Sequence, residues 1–226
     1  MKKTKKRIKI RVVPILITVF ILLLIVIFIY LLTLIPIKNI YVKKNNYLTD
    51  QSIIEDAKIE NYPSFLKTTK ASIIKNIKKN PYVKDVKVKK KLPAIIYIEV
   101  TEKNILFRKD EDKKIVLEDK SEIDDNNFYQ LPLLLNYVPD TKYDSFIKKM
   151  NDVSENVKTL ISEIRYYPNE QDEDRFLLYM NDGNYVYLTL TKFKQINYYE
   201  EVLEKLEGKK GILYLDSGNH FKIMED

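Results

Sequence analysis

The sequence predicts an α+β protein tethered by a single transmembrane helix. A small β-α-α-β-β domain follows the helix, and a larger mixed α/β domain with a mostly antiparallel sheet follows that. Three observations carry the prediction. Residues 15–35, ILITVFILLLIVIFIYLLTLI, run without a charge, a glycine or an amide side chain. The charge balance of the remaining chain changes sign near Thr101: residues 38–101 carry 14 basic and 6 acidic side chains, residues 102–226 carry 18 and 26. Hydrophobic periodicity then switches between the strand and helix repeats in the order that a small sheet covered by two helices requires.

The N-terminal tail, residues 1–14, holds Lys2, Lys3, Lys5, Lys6, Arg7, Lys9 and Arg11, and no acid occurs before Asp50. Those cations account for the whole net charge of +7. A nucleic-acid-binding domain would need the excess on its folded part, so that class is excluded. The apolar run is about 30 Å long as a helix, the thickness of a bilayer core. It is followed by LLTLIPIKNI and not by small residues at a cleavage site, so it is expected to stay attached. Seven cations before the span place the N-terminus in the cytoplasm and the C-terminal residues outside the cell. The chain has no cysteine, so neither disulfides nor thiol chemistry support the exterior.

Residues 38–102 form the first exterior domain in this reading. IKNIYVKK alternates as a short strand, LTDQSIIEDAKI has Thr49 or Asp50 as N-cap, and TTKASIIKNIKKN repeats isoleucine at helical spacing. Pro81 stops that second helix. Two strands, YVKDVKVKK and AIIYIEVTE, are bent into a hairpin at Pro93. Residues 103–226 form the second domain. Short strands are predicted around NILFRK and KKIVLED, then a helix over about 143–161, then DRFLLYM and NYVYLTL joined at Asp182-Gly183 as a two-residue hairpin with both positions at positive φ. A helix over about 195–206 presents Ile196, Tyr199, Leu203 and Leu206 on one face. The strands GILYLD and HFKIM close the chain around SGN.

Candidates for covalent chemistry are weak. Ser64/Lys67 and Ser72/Lys75 match a Ser-x-x-Lys pair, but no Lys-Thr-Gly or Ser-x-Asn element accompanies them. The four glycines form no phosphate-cradling loop, and His220, the single histidine, makes no zinc site alone. The acidic runs at 119–125 and 170–174 lack the glycine and spacing of a calcium loop. No catalytic residue, cofactor or metal site is therefore assigned, and no small-molecule substrate. The competing expectation is a membrane-anchored cell-wall hydrolase or sensor with an unrecognised site among the acids of the second domain.

Several stretches resemble the FtsQ/DivIB family of bacterial cell division proteins, whose exterior begins with a POTRA domain and continues into a β domain. They are IKNIYVKKNNYLT, NPYVKDVKVKKKLPAIIYIEVTEK, LPLL, SEI, MNDGNYVYL, KFKQINYYEEVLEKL and KGILYLDSGNHF. The sequence departs from the family pattern at three places. Lys44 stands where glycine precedes the asparagine of the first turn, so Asn45 or Asn46 is expected to supply the left-handed residue. Glu102-Lys103-Asn104-Ile105 lacks the linker proline, and residues 118–122 lack a turn glycine.

The resemblance implies a non-enzymatic scaffold, single-pass in the cell membrane and enriched at the division septum. It would bind FtsL-like and DivIC/FtsB-like proteins, reach the septal peptidoglycan synthase, and help control septal peptidoglycan synthesis. It puts the partner-binding surface on the last helix and strands, with Tyr199, Tyr214, Leu215, His220, Phe221 and Lys222 as candidates. Phe221 and Ile223 are expected to face the core. Lys84, Lys87, Lys89 and Lys91 form a second candidate surface on the POTRA hairpin, where lysines along an edge strand discourage indiscriminate pairing while admitting an acidic partner.

Overall fold

The computed structural model describes residues 12–124 and 130–224. The basic residues 1–11 and the end of the first acidic run lie outside them. The chain separates into two compact units, Met1–Glu102 and Lys103–Asp226.

In the first unit, α1 spans Val12–Leu32 and buries none of its side chains within the protein. It is long and apolar enough to cross a membrane. It ends three residues before the apolar run does. Pro36 disfavours helical backbone at Ile35, and two freed carbonyls find other donors: Ser64 Oγ donates to Thr33 O (2.5 Å) and Phe65 N to Ile35 O (2.8 Å).

Strand β1 (Asn39–Lys43), helices α2 (Asp50–Asp56) and α3 (Lys70–Ile77), and strands β2 (Val83–Lys91) and β3 (Ile95–Glu102) then follow in β-α-α-β-β order. Thr49 and Thr69 cap the two helices by accepting from Ser52 N and Ser72 N. The sheet order is β1-β3-β2, with β1 parallel and β2 antiparallel to the central strand. Ile53, Ile73 and Ile77 from the helices pack on Val86, Val88, Ile96, Ile98 and Val100 of one sheet face. The other face is open.

Left-handed backbone falls on Lys44 itself (φ 66), not on Asn45 or Asn46. The asparagine is occupied differently: Asn45 Nδ2 donates to Leu48 O and Asp50 Oδ1, both at 2.8 Å. Glu102 locks the same turn by accepting from the backbone N–H of Asn46, Tyr47 and Leu48 at 2.7–3.0 Å. Three charge-assisted hydrogen bonds offset the strain of one lysine at positive φ. Lys120 (φ 69) likewise replaces the turn glycine missing from residues 118–122.

The second unit is built on one nine-stranded sheet. Its strands are β4 (Ile105–Lys109), β5 (Ile115–Leu117), β6 (Glu122–Ile123), β7 (Leu133–Leu134), β8 (Ile161–Tyr166), β9 (Arg175–Met180), β10 (Tyr185–Thr189), β11 (Gly211–Tyr214) and β12 (His220–Ile223). Their order is β12-β11-β10-β9-β8-β7-β4-β5-β6. The ladders β4/β7, β7/β8 and β10/β11 are parallel and the others antiparallel, so the sheet is mixed and mostly antiparallel.

The single helix expected over 143–161 is two: α4 (Asp140–Asn151) and α5 (Glu155–Leu160), with Ile161 already in β8. Ser154 caps α5, and Asn197 clamps the break by accepting from Ser154 N and donating to Asp152 O, both at 2.9 Å. The helix expected from 195 is a 3-10 segment, Leu190–Tyr198, running into α6 (Tyr199–Leu206). Four phenylalanines centre this core. Phe146 of α4 stacks on Phe176 of β9 (4.8 Å, 8°) and contacts Phe107, while Phe193 meets Phe146 and Phe176 edge-on.

Candidate interaction surfaces

Strand β12 forms one edge of the large sheet, and its position there is held from behind. In β11, Gly211 leaves room for a close approach: a Cβ at that position would lie 2.2 Å from the Lys222 carbonyl and 2.7 Å from the Phe221 ring. Gly211 N also donates to the buried Asn184 Oδ1 (2.8 Å). Asn184 Nδ2 donates to Tyr199 Oη (3.0 Å), and Tyr199 Oη donates to the Asp182 carboxylate (2.9 Å). The turn before β10, the start of α6 and the start of β11 are thereby tied into one network. Burial pushes the Tyr199 hydroxyl far above the ordinary tyrosine range, so it stays a donor.

That turn differs from the expected two-residue hairpin. Met180 N donates to Asn184 O, and Asn181, Asp182 and Gly183 make a three-residue loop in which only Gly183 has positive φ (90°). The Asp182 carboxylate is turned toward Asn184 N and Tyr199, an arrangement that a two-residue turn would not hold.

The β11/β12 register pairs Gly211 with Ile223, Ile212 with Lys222, Leu213 with Phe221, and Tyr214 with His220. Met224 N donates to Lys210 O (3.0 Å). Antiparallel alternation then makes His220 and Lys222 the residues bonded to β11, and directs the N–H and C=O of Phe221 and Ile223 to the open edge.

The candidate side chains divide accordingly. Tyr214 is half-buried and His220 and Lys222 are exposed; the Tyr214 and His220 rings stack at 4.8 Å. Stacking continues from Tyr214 to Tyr187 (5.5 Å), over which the Arg175 guanidinium lies at 3.7 Å. Arg175 Nε donates to Asp216 (2.7 Å). Phe221 packs partly against the core. Ile223, in contrast, is 50% exposed, because its cross-strand neighbour Gly211 offers no side chain to pack on. Two expected contact residues belong to the interior instead: Leu215 is a core side chain and Tyr199 is only 1% exposed. Both lie behind the edge and support it.

On the small sheet, Lys84, Lys87, Lys89 and Lys91 are exposed. The last three line a groove of about 240 Å³ with Lys43, Tyr97 and Glu99 on the open face. Lys44 beside Glu99 holds that carboxyl below its ordinary range. Tyr41 stacks on Tyr97 (5.2 Å), and the Lys91 ammonium lies 5.1 Å from the Tyr97 ring. Lys90 is separate from this group. It turns to the helical side, where Nζ donates to Phe65 O and to Thr68 O (2.6 Å) over the Phe65 ring.

A cavity of about 340 Å³ in the second unit is lined by Lys109, Asp110, Leu134, Asn136, Tyr137 and Tyr143. Asp140 also lines it and accepts from the Tyr137 hydroxyl (3.1 Å). Among the described residues no three metal-ligating side chains converge.

The fold is thus that of a protein with one candidate membrane span, a small three-stranded α/β unit and a larger sheet unit with an open edge. Family models match both sheet units: POTRA domain, FtsQ-type, over residues 35–103, and cell division protein FtsQ/DivIB, C-terminal, over residues 100–217. The chain belongs to the FtsQ/DivIB family. It is 29% identical over 197 residues to the cell division protein DivIB of Bacillus cytotoxicus, covering 84% of this chain and 77% of the relative. It is 30% identical over 197 residues to DivIB of Bacillus subtilis, covering 82% and 73%. The solved extracytoplasmic domain of DivIB from Geobacillus stearothermophilus superposes with a TM-score of 0.39 at 21% identity, covering 47% of this chain and 96% of that one.

Proposed function

We propose that the protein is a non-enzymatic assembly factor of the bacterial division machinery, with its N-terminus cytoplasmic and both sheet units outside the membrane at the septum. It binds FtsL-like and DivIC/FtsB-like membrane proteins and helps bring the septal peptidoglycan synthase under control. The observation that carries this reading is β12, an outer strand whose Phe221 and Ile223 backbone groups face away from β11. A partner segment adds to such an edge by main-chain hydrogen bonds, and Tyr214, His220 and Lys222 on one face with Phe221 and Ile223 on the other select its side chains. The family's role in cell division supports the same reading.

Ile223→Pro is the sharpest test. Proline removes an outward donor and is tolerated on an edge strand, whereas proline at Lys222 would break the protein's own ladder. The Ile223→Pro chain should lose capture of a DivIC/FtsB-like ectodomain while keeping its circular dichroism and melting curve. Lys222→Ala should bind nearly as well as the unaltered chain. Undiminished capture by Ile223→Pro would move the contact elsewhere, to the lysine-bearing hairpin first. Release of soluble fragments from peptidoglycan, abolished by one carboxylate substitution, would overturn the binding-only reading.

A further inference from the structure

The POTRA unit carries a cationic, apolar-tipped rim at the end where the membrane helix enters. Strand β1 begins seven residues after α1 ends, and its first residue, Asn39, lies beside Ile95 at the start of β3. The β2–β3 hairpin tip therefore sits at the same end of the sheet as the chain's exit from α1. Backbone bonds join three segments there: Lys38 N donates to Ala94 O (2.9 Å), Ile37 N to Pro63 O (3.0 Å) and Phe65 N to Ile35 O (2.8 Å). Ser64 Oγ reaches Thr33 O, and Lys90 ties the hairpin to Phe65 and Thr68.

These three segments, residues 33–40, 62–70 and 88–95, hold six lysines and no acidic residue. Lys38, Lys67, Lys70, Lys89 and Lys91 are exposed. Leu92, at the hairpin tip, is 85% exposed, and Tyr62 and Leu66 add apolar surface on the neighbouring loop. A leucine so exposed on a folded domain is not explained by its own core. An apolar tip ringed by lysines matches a lipid interface, where the side chain enters the headgroup region and ammonium groups meet phosphates.

We infer that this rim is a membrane-docking surface: Leu92 inserts among the headgroups of the leaflet from which α1 emerges, and Lys89, Lys91, Lys38 and Lys67 bind anionic lipid phosphates around it. The inference rests on α1 crossing the bilayer. It gives the hairpin lysines a partner independent of any contact at β12. It also makes the short connection after α1 a device that orients the POTRA unit, since a domain held by one flexible tether would otherwise turn freely.

Because the chain has no cysteine, Leu92→Cys and Thr101→Cys each accept a single environment-sensitive fluorophore. Thr101 is exposed on β3, about 20 Å along the strand from Ile95. The full chain is placed in nanodiscs containing about 30% phosphatidylglycerol, enough negative surface charge to attract lysines. The label at 92 should be blue-shifted, quenched by lipid-borne nitroxide and severalfold less quenched by iodide than the label at 101. In discs of neutral phosphatidylcholine, or with Lys89→Gln and Lys91→Gln, the two positions should become alike. Equal iodide access at 92 and 101 in every lipid would overturn the proposal, and so would protection of 92 only by added anionic wall polymer. Carbonate washing of cell membranes separates the two readings: a chain released by it lacks the span and the premise fails, whereas a retained chain with an aqueous position 92 refutes docking alone.

Discussion

The two sheets treat their edges in opposite ways. Strand β2 is an edge of nine residues, five of them lysine, with a register shift between Val83 and Asp85. Strand β12 is an edge of four residues with one lysine, followed by exposed Met224. Charge and a bulge are among the ways proteins stop an edge from recruiting strands; β12 is protected by its shortness but carries no bulge and only one lysine. On the two proposals made above, the contrast divides the work: the small sheet's charged strand would meet anionic groups, and the large sheet's plain strand would meet another chain.

The largest effect expected from breaking this contrast comes from Gly211→Val. A Cβ there meets the Lys222 carbonyl at 2.2 Å, so β12 must leave its place. Overpacking of this kind costs about 1–3 kcal/mol, and partner capture should fall to background with it. Titration calorimetry and thermal melting read the two consequences separately.

Guarding the open edge as β2 is guarded should come next. Ile223→Lys with Met224→Lys leaves the core untouched, so the melting temperature should stay within a degree or so of the unaltered chain. Partner binding should weaken by roughly tenfold, the size of one lost desolvated contact. Unchanged binding would show that charge on this edge does not govern recruitment of a partner.

Tyr199→Phe tests whether the network behind β11 supports the edge. It removes the hydroxyl shared by Asn184 and Asp182 in a buried setting, for a cost of about 1–3 kcal/mol. Affinity should fall less than stability does, because the Asn184 bond to Gly211 remains. On the small sheet, Lys44→Gly should raise stability by about 1 kcal/mol by relieving positive φ, a gain measurable in urea.

The smallest effect is electrostatic. Lys78, hydrogen-bonded to Asp85, and Lys44, hydrogen-bonded to Glu99, hold those carboxyls below their ordinary ranges. A carboxyl with a depressed folded pKa contributes stability above its unfolded pKa and loses it as pH falls through the folded one. Both groups remain partly exposed to solvent, which screens the pairs, so acid titration of the small sheet should show only a slight loss, flattened further in Lys78→Met.

Much of this architecture was legible in the residues because it follows from local rules. The N-cap of α2 falls on Thr49, one of the two residues expected there, alternating valines and isoleucines define β2 and β3, and 21 uncharged residues define a candidate span. Other features depended on groups far apart in the chain. Nothing local marks Asn197 as the residue that breaks 143–161 into two helices. Tyr199 and Leu215 fell in the segment expected to contact a partner, and were buried because Asp182, Asn184 and the core claimed them first.

Composition and periodicity by themselves determined the candidate span, the change of charge sign between the two units and the β-α-α-β-β order of the small sheet, since each is written in neighbouring residues, whereas the family was reached through the resemblance of particular stretches. The tertiary structure alone decided which backbone groups of β12 point outward, that Lys90 leaves its sister lysines for Phe65 and Thr68, and that Leu92 stands at the end of its sheet nearest the chain's exit from α1. Those are matters of register and of parallel pairing between β1 and β3. Register is set by contacts between strands distant in sequence, and a one-residue slip would reverse the outward groups of β12 and the side to which Lys90 turns, while strand direction fixes the end at which Leu92 lies.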